Sequence, residues 1–349
     1  MVLPEPEELP LLELELLHNF TTKTYSTLTA DPSVWDFWRG DVVQLGLSCD
    51  YIMRAVLAIS ALHLAYHRPD RRDFYTAQGI LLHQKASRSA MRFMAADSEV
   101  DKDQAASLFL FSMLTMFFGI PARSLSFLHP FTNTLHPALA SPRRSNPDGT
   151  FFIGESGFPD WPFLLSGGKS IMDVLGERRF DTVAAPFLIY GGQRWCAHRA
   201  KLNEMEQQHA FSSSSSSESS ASSALLLAPL RARISASVSD PDLLKTYSHA
   251  LDELELALVV RQDPSAPRDV LDAMVWLWEV SDSLVPLLKV PAQEAVAIFA
   301  YFCVLLKHHE SHWWLQGWAD HLMVRAHEIL DEEHRGWIEW PMREMGFEG

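Results

Sequence analysis

The sequence predicts an all-α protein, a multi-helix bundle in two packed helical blocks with a long irregular insertion and a Ser-rich linker. Several stretches repeat apolar residues at the 3.6-residue spacing of a helix, most clearly residues 51–67. The sequence contains no run of alternating polar and apolar residues bounded by turn signals, which would indicate β-strands. It also lacks the spacing that is typical of strand–helix–strand units. Both observations favour helices as the only regular structure.

The N-terminal block, residues 1–120, is predicted to contain three helices. They span residues 51–67, 74–96 and 101–119. From residue 108 onward the third helix is apolar on every side. A helix without a polar face lies inside a bundle or against an apolar ligand, so this helix is a candidate wall of a binding pocket.

The rest of the chain divides into four segments by composition. Residues 121–160 are predicted to form a Pro/Gly-rich loop or insertion, since seven of the 20 prolines lie there or directly after it. A middle helical segment is predicted over residues 161–211. Ten of the twelve residues 212–223 are serine, which predicts a flexible linker. Residues 224–349 form the C-terminal helical block, with a break at Gly317 before the last helix.

The chain carries 29 Lys and Arg against 44 Asp and Glu, a formal net charge of −15. Because binding to nucleic acid needs clustered positive charge, we predict no direct contact with it. Three scattered cysteines exclude a structural zinc cluster and favour free thiols. We find neither a signal peptide nor an apolar run of roughly 20 residues. We therefore expect an intracellular protein, nuclear or cytoplasmic, without a membrane span.

Two short motifs lack the spacing that their chemistry needs. Residues 167–170 read Gly-Gly-Lys-Ser, yet Phe163 stands where a phosphate-binding loop needs its first glycine. Residues 154–157 read Gly-Glu-Ser-Gly, one residue short of a nucleophile elbow. We interpret both motifs as structural.

Histidines near the C-terminus are the candidate metal ligands. His308 and His312 stand four residues apart on a predicted helix, so both imidazoles project from one face. Glu310 points elsewhere, and a third ligand would have to come from another element. The simpler interpretation is a polar helix end, where a protonated histidine interacts favourably with the helix dipole. We predict no metal and no cofactor.

Several segments together resemble the fungal-specific transcription factor domain, which follows the zinc binuclear cluster in a large class of fungal regulators. Residues 310–318 and 337–341 resemble in particular the subgroup related to the sterol uptake control protein. The resemblance covers about residues 11–345, apart from the Ser-rich linker. The segments are residues 14–21 (LELLHNFT), 58–65 (AISALHLA), 161–168 (WPFLLSGG), 310–318 (ESHWWLQGW) and 337–341 (WIEWP).

The resemblance implies one all-helical effector domain that senses a ligand, and the best-known member of the subgroup senses a sterol. It thus implies binding of a hydrophobic small molecule, sterol-like or secondary-metabolite-like. The 11 Trp, 20 Phe and 12 Met residues suit an adaptable apolar pocket, although most of them are expected in the core. By helix face, and not by a matched family motif, we assign the pocket lining to Met113, Phe117, Phe118, Trp276, Phe299 and Phe302.

The sequence departs from the family because no six-cysteine zinc cluster precedes this region. Two functions remain open. The first is a transcription-regulatory effector domain that acts with a DNA-binding module or a regulatory protein partner. The alternative is a stand-alone enzyme of secondary metabolism, a cofactor-independent cyclase, pericyclase or dehydratase. In that enzyme His308, His312 and Glu310 would carry general acid–base catalysis beside the apolar pocket. The sequence favours the first function.

Overall fold

The computed structural model describes residues 9–94, 101–127, 161–211, 218–262 and 269–347. Regular structure in these ranges is helical, without a strand, which confirms the predicted all-α class. A π-helix, Phe37–Asp41, leads directly into the second α-helix. The α-helices are α1 Leu11–Thr22, α2 Val42–Ser48, α3 Asp50–His67, α4 Arg72–Met94, α5 Lys102–Phe127, α6 Trp161–Leu175, α7 Ala185–Phe211, α8 Glu218–Ser237, α9 Pro241–Gln262, α10 Val270–Glu279, α11 Val285–Lys289, α12 Gln293–Lys307, α13 Trp318–Ile329, α14 Glu332–Arg335 and α15 Glu339–Glu344.

Helix α3 is the centre of the N-terminal part and packs against α1, α2, α4 and α5. Its residues are buried almost continuously from Tyr51 to Ala65, because apolar side chains and alanines cover every face. Helix α4 approaches closely at Gly79, where an added Cβ atom would lie 3.1 Å from the Ala58 carbonyl oxygen. A side chain at this position would push the two helices apart, so the glycine sets their spacing.

Helix α5 is longer than the sequence predicts. The predicted end at residue 119 is wrong, since the helix continues through Pro121 to Phe127. Proline inside a helix costs about 3 kcal/mol, but Ile120 and Ala122 on either side are buried in the core. Their burial holds the chain in helical form beyond the proline. Residues 128–160 of the predicted insertion lie outside the described residues.

One stretch of α5, Lys102–Ala122, is long and apolar enough to cross a membrane, with a mean hydropathy of 1.8. However, 83% of its most apolar window is buried inside the protein. Such burial is typical of the central helix of a bundle, which needs the same composition as a membrane span.

The Gly-Gly-Lys-Ser motif lies within α6 and forms no loop. Gly168 faces α5, where an added Cβ atom would lie 3.2 Å from Ser112 Oγ and 3.3 Å from Phe109 Cδ2. Gly167, by contrast, faces open space. The motif therefore permits close packing of two helices.

In the C-terminal part, α12 is the buried helix and packs against α9, α10, α13 and α15. Helices α10 and α11 are separate elements. Pro286 has no amide hydrogen for a helix interior and instead lies in the first turn of α11. The predicted break is confirmed at Gly317, which precedes α13 with φ 73°, a conformation that favours glycine. However, α12 already ends at Lys307, and α13 is not the last helix, because α14 and α15 follow it.

The Ser-rich linker over residues 212–223 stays a prediction, as do the other segment boundaries. Helix α8 begins at Glu218, inside this range, and residues 212–217 lie outside the described residues. The buried apolar side chains of both predicted blocks form one continuous cluster.

Hydrogen bonds join the two ends of the chain at the segment before the π-helix. The Trp313 indole donates to Thr27 Oγ1 at 2.9 Å, and the Trp314 indole donates to the Thr27 carbonyl oxygen at 3.1 Å. The buried Asp269 carboxylate accepts the Ala30 amide hydrogen at 2.9 Å. These contacts position the N-terminal aromatic residues against the C-terminal part.

Two glycine substitutions test the role of close helix contact. We expect Gly79→Ala to lower the free energy of unfolding by about 1 kcal/mol, because its Cβ atom meets the backbone of α3. Gly167→Ala is the matched control. We expect it to raise the free energy of unfolding by about 0.5–1 kcal/mol, because alanine favours the helix and its Cβ atom would lie in open space. Urea unfolding of both variants measures the difference. Equal stabilisation by both would contradict the close contact.

Candidate functional site

The six residues assigned to the pocket lining are all buried and belong to two aromatic groups. In the first, the Phe117 ring lies edge-on to Trp38 at 5.7 Å and to Trp314 at 4.9 Å. Met113 lies one turn earlier on the same helix, α5. The neighbouring Phe118 stacks on His83 at 4.1 Å.

The second aromatic group lies between α10 and α12. Trp276 stacks on Phe302 with ring centroids 4.5 Å apart, and Phe299 lies 5.4 Å from Phe302. The Trp276 indole donates a hydrogen bond to the Ala250 carbonyl oxygen at 2.9 Å. Its polar atom is therefore satisfied within the protein, as in ordinary core packing.

The first group, which we call the Trp38 cluster, extends to two elements that the pocket assignment did not include. Phe187 of α7 lies 5.3 Å from Trp38 and stacks on Phe37 at 6.0 Å. Trp38 and Phe37 belong to the π-helix. The sequence signal was present, because Trp35, Phe37 and Trp38 form an aromatic run, but no periodicity places that run beside Phe117.

Trp38 is the polar feature of this cluster. Its side chain is fully buried, and within the described part of the chain its Nε1 has no hydrogen-bond acceptor. Thr29 Oγ1, in the segment before the π-helix, is also buried and has no hydrogen-bond partner among the same residues. A buried donor without an acceptor costs roughly 1–3 kcal/mol. The cluster thus combines an apolar surface with an available hydrogen-bond donor.

Two of the resemblance segments meet in a buried polar network between α1 and α3. The Asn19 side-chain amide donates to Thr24 Oγ1 and to Ser60 Oγ, each at 3.0 Å. Ser60 Oγ donates to the Leu16 carbonyl oxygen at 2.7 Å. Thr24 Oγ1 also lies 2.9 Å from His63 Nδ1. The network satisfies the polar groups of α3, so these segments have a structural role.

Two buried histidines are held in the neutral form. Burial, reinforced by the nearby His67 and Lys23, lowers the pKa of His63 to about 3. Burial alone lowers the pKa of His83 to about 3. His83 Nε2 lies 3.1 Å from Thr115 Oγ1, and its ring stacks on Phe118. Neutral imidazole behaves here as a flat, weakly polar ring.

The C-terminal histidines do not have the predicted arrangement. Helix α12 ends at Lys307, so the prediction that His308 and His312 share a helical face is wrong. His308 is exposed, and burial lowers the pKa of His312. Glu310 forms an ion pair with Lys307 at 2.9 Å. The described part of the chain contains no group of three His, Cys, Asp or Glu residues arranged for a metal ion.

A cavity of about 360 Å³ opens elsewhere, between the start of α3, α4 and the start of α5. Tyr51 Oη and Ser107 Oγ lie 2.6 Å apart in its wall, and Ser89 Oγ donates to Asp50 Oδ1 at 2.8 Å. Its surface is more apolar than polar, with three aspartates among the lining residues, and none of the six assigned pocket residues lines it. The lining residues are Leu45, Ser48, Cys49, Asp50, Tyr51, Ser89, Phe93, Asp101, Asp103, Gln104 and Ser107.

The neutral histidines predict a pH-dependent stability. Because the pKa of His63 and His83 is near 3 when folded and near 6.5 when unfolded, unfolding takes up protons between these values. The contribution of each neutral histidine to the free energy of unfolding is complete above about pH 6.5. As the pH falls towards 3, this contribution decreases by roughly 1.4 kcal/mol per pH unit for each histidine. His83→Gln removes one such contribution, so we expect a shallower slope in urea unfolding between about pH 4 and 6.

The matched control is His18→Gln, on the exposed side of α1. We expect this variant to keep the slope of the unmodified protein. Identical slopes for His83→Gln and the unmodified protein would show that His83 is protonated in the folded state.

Comparison with known proteins gives one similarity over nearly the whole chain. A Zn(2)-C6 fungal-type transcription factor of Gibberella zeae is 24% identical over 351 aligned positions, which cover 95% of this chain and 61% of that protein. The chain thus spans about three fifths of the length of this curated relative. No family model matches, and no solved structure matches. The chain is therefore similar to a fungal transcription factor, while its similarity to the sterol-related subgroup stays a prediction.

Proposed function

We propose that this chain is a transcription-regulatory effector domain that binds a hydrophobic small molecule. The observation that carries the proposal is the similarity to a fungal transcription factor across 95% of the chain. The buried aromatic groups around Phe117 and Phe302 supply the apolar surface that such a ligand needs. Nuclear localisation follows from the same proposal.

We further propose that this domain acts through a DNA-binding module or a regulatory protein and does not hold DNA itself. The formal net charge of −15 supports this, because an acidic surface repels the phosphate backbone. The enzymatic alternative receives no comparable support. Glu310 forms an ion pair with Lys307, and His308 lies exposed on a turn after α12, so these predicted residues do not share one helical face beside the apolar groups.

A reporter experiment tests the regulatory role. The chain is fused to a heterologous DNA-binding domain in a fungal host, and transcription from a promoter with matching sites is measured. We expect transcription to differ from that of the DNA-binding domain alone, and to respond to apolar compounds added to the medium. A fusion that never differs from the DNA-binding domain would contradict the regulatory role.

Sterol binding is measured directly on the purified chain. With 11 tryptophans as energy donors, the fluorescent sterol dehydroergosterol should quench tryptophan emission with a saturable profile. Unlabelled ergosterol should reverse the quenching by competition, which non-specific partition would not allow. Turnover of a sterol or polyketide without any effect on transcription would support the enzyme instead.

Binding to duplex DNA gives an independent test. We expect the chain alone to show no salt-sensitive affinity for duplex DNA, because a formal net charge of −15 opposes the approach of the phosphate backbone. The affinity for a labelled duplex is measured by fluorescence anisotropy at salt concentrations from about 50 to 200 mM, where phosphate contacts depend strongly on salt. A steep decrease in affinity with salt would contradict the proposal.

A further inference from the structure

We propose that the Trp38 indole N–H is the polar anchor of the ligand site and selects a neutral apolar molecule with a hydrogen-bond acceptor. This inference rests on the proposed function and assigns that function to one of the two aromatic groups. It follows from the hydrogen bonding, the backbone and the surroundings of Trp38.

The hydrogen bonding of Trp38 differs from that of five other tryptophans, whose indole groups donate to oxygen atoms of the backbone or of a side chain. Trp38 is fully buried, yet its Nε1 has no acceptor among the residues that the structure describes. Since buried donors are nearly always satisfied in native proteins, this atom is suited to an acceptor from outside the chain. The five satisfied indoles are those of Trp35, Trp195, Trp276, Trp313 and Trp314.

The backbone around Trp38 is unusual as well. Phe37–Asp41 is a π-helix, and the Val42 amide hydrogen bonds to the Phe37 carbonyl oxygen five residues earlier. Single π turns are rare and occur frequently at functional sites. Both Phe37 and Trp38, the first two residues of this π-helix, lie in the core.

The surroundings of the indole are apolar and come from separate elements. Phe117 belongs to α5, Phe187 to α7 and Phe37 to the π-helix itself. Flat rings on different elements, with the flexible Met113 one turn away, can separate around a ligand more readily than one continuous helix face. These rings carry no charge. An anionic ligand such as a fatty acid would lose its hydration without a compensating cation.

Helix α7 packs on Trp38 with one face and meets solvent with another. Phe187 contacts Trp38, and two residues later Ile189 is 48% exposed. A neutral molecule with an aliphatic body and one hydroxyl or carbonyl oxygen would place its body among the rings and its oxygen at Nε1.

The second aromatic group lacks this combination, because the Trp276 indole already donates to Ala250. Like Trp38, Trp318 has a buried Nε1 that finds no acceptor in the described ranges, but it lies at the start of α13, with its ring 5.3 Å from that of His321. Trp318 is thus a matched control for the loss of a buried, unsatisfied donor outside the Trp38 cluster.

The experiment compares Trp38→Phe with Trp318→Phe, each of which keeps an aromatic ring and removes the N–H. Dehydroergosterol, which carries a hydroxyl group, and cholestane, a sterol hydrocarbon without oxygen, are the probes. We expect Trp38→Phe to bind dehydroergosterol roughly 3- to 10-fold more weakly than the unmodified protein, the loss of one hydrogen bond. Binding of cholestane should be unchanged, and Trp318→Phe should bind both probes normally.

The outcomes separate this inference from the proposed function. Saturable binding by the unmodified protein with equal affinity for Trp38→Phe overturns the inference alone and leaves the regulatory role intact. Equal weakening by Trp318→Phe also overturns it, because the effect would then come from any lost indole donor. Absence of saturable binding by the unmodified protein contradicts both ligand binding and the anchor.

A measurement on the unmodified protein does not depend on the folding of a variant. With ¹⁵N-labelled tryptophan, the indole N–H groups give separate signals in a two-dimensional NMR spectrum. We expect one indole proton to move downfield on addition of dehydroergosterol and to stay in place with cholestane. If no indole signal distinguishes the two probes, the ligand oxygen does not meet an indole donor, and the inference is wrong.

Discussion

The burial of α3 on every side is the constraint on which the rest of the structure depends. A helix that is buried almost continuously from Tyr51 to Ala65 must satisfy each polar side chain inside the protein. Ser60 and His63 meet this requirement through Asn19 and Thr24, which come from α1 and the turn after it. The N-terminal segment is therefore part of the core, and its polar residues are as constrained as the apolar ones.

The same segment links the central helix to the distant C-terminal part. Beyond Thr24, the chain reaches Thr27, which accepts hydrogen bonds from Trp313 and Trp314. Trp314 packs on Phe117, and Phe117 packs on Trp38. The aromatic cluster is thus built from residues almost three hundred positions apart. Under the proposed function, a ligand that separated these rings would act on the junction between the two parts of the chain and so change their arrangement.

Much of the fold was predictable because helical periodicity is a local property. The positions of α3, α4 and α9 follow from apolar residues at helical spacing, and Gly317 marks the break before α13 as predicted. The ends of helices were less predictable. Pro121 lies inside α5 because its neighbours are buried, whereas Pro286 begins a new helix. Proline thus lies inside one helix and begins another, and the sequence does not show the packing around each proline that accounts for the difference.

The sequence by itself determined the all-α class, the acidic surface and the richness in aromatic residues, since these depend on composition and local spacing. Only the tertiary structure decided that the six assigned residues belong to two groups and that Trp38 joins Phe117. It also showed that Glu310 pairs with Lys307 on a turn after α12. The reason is physical: whether a buried indole finds an acceptor depends on chain segments brought together from far apart, and periodicity contains no information about such contacts.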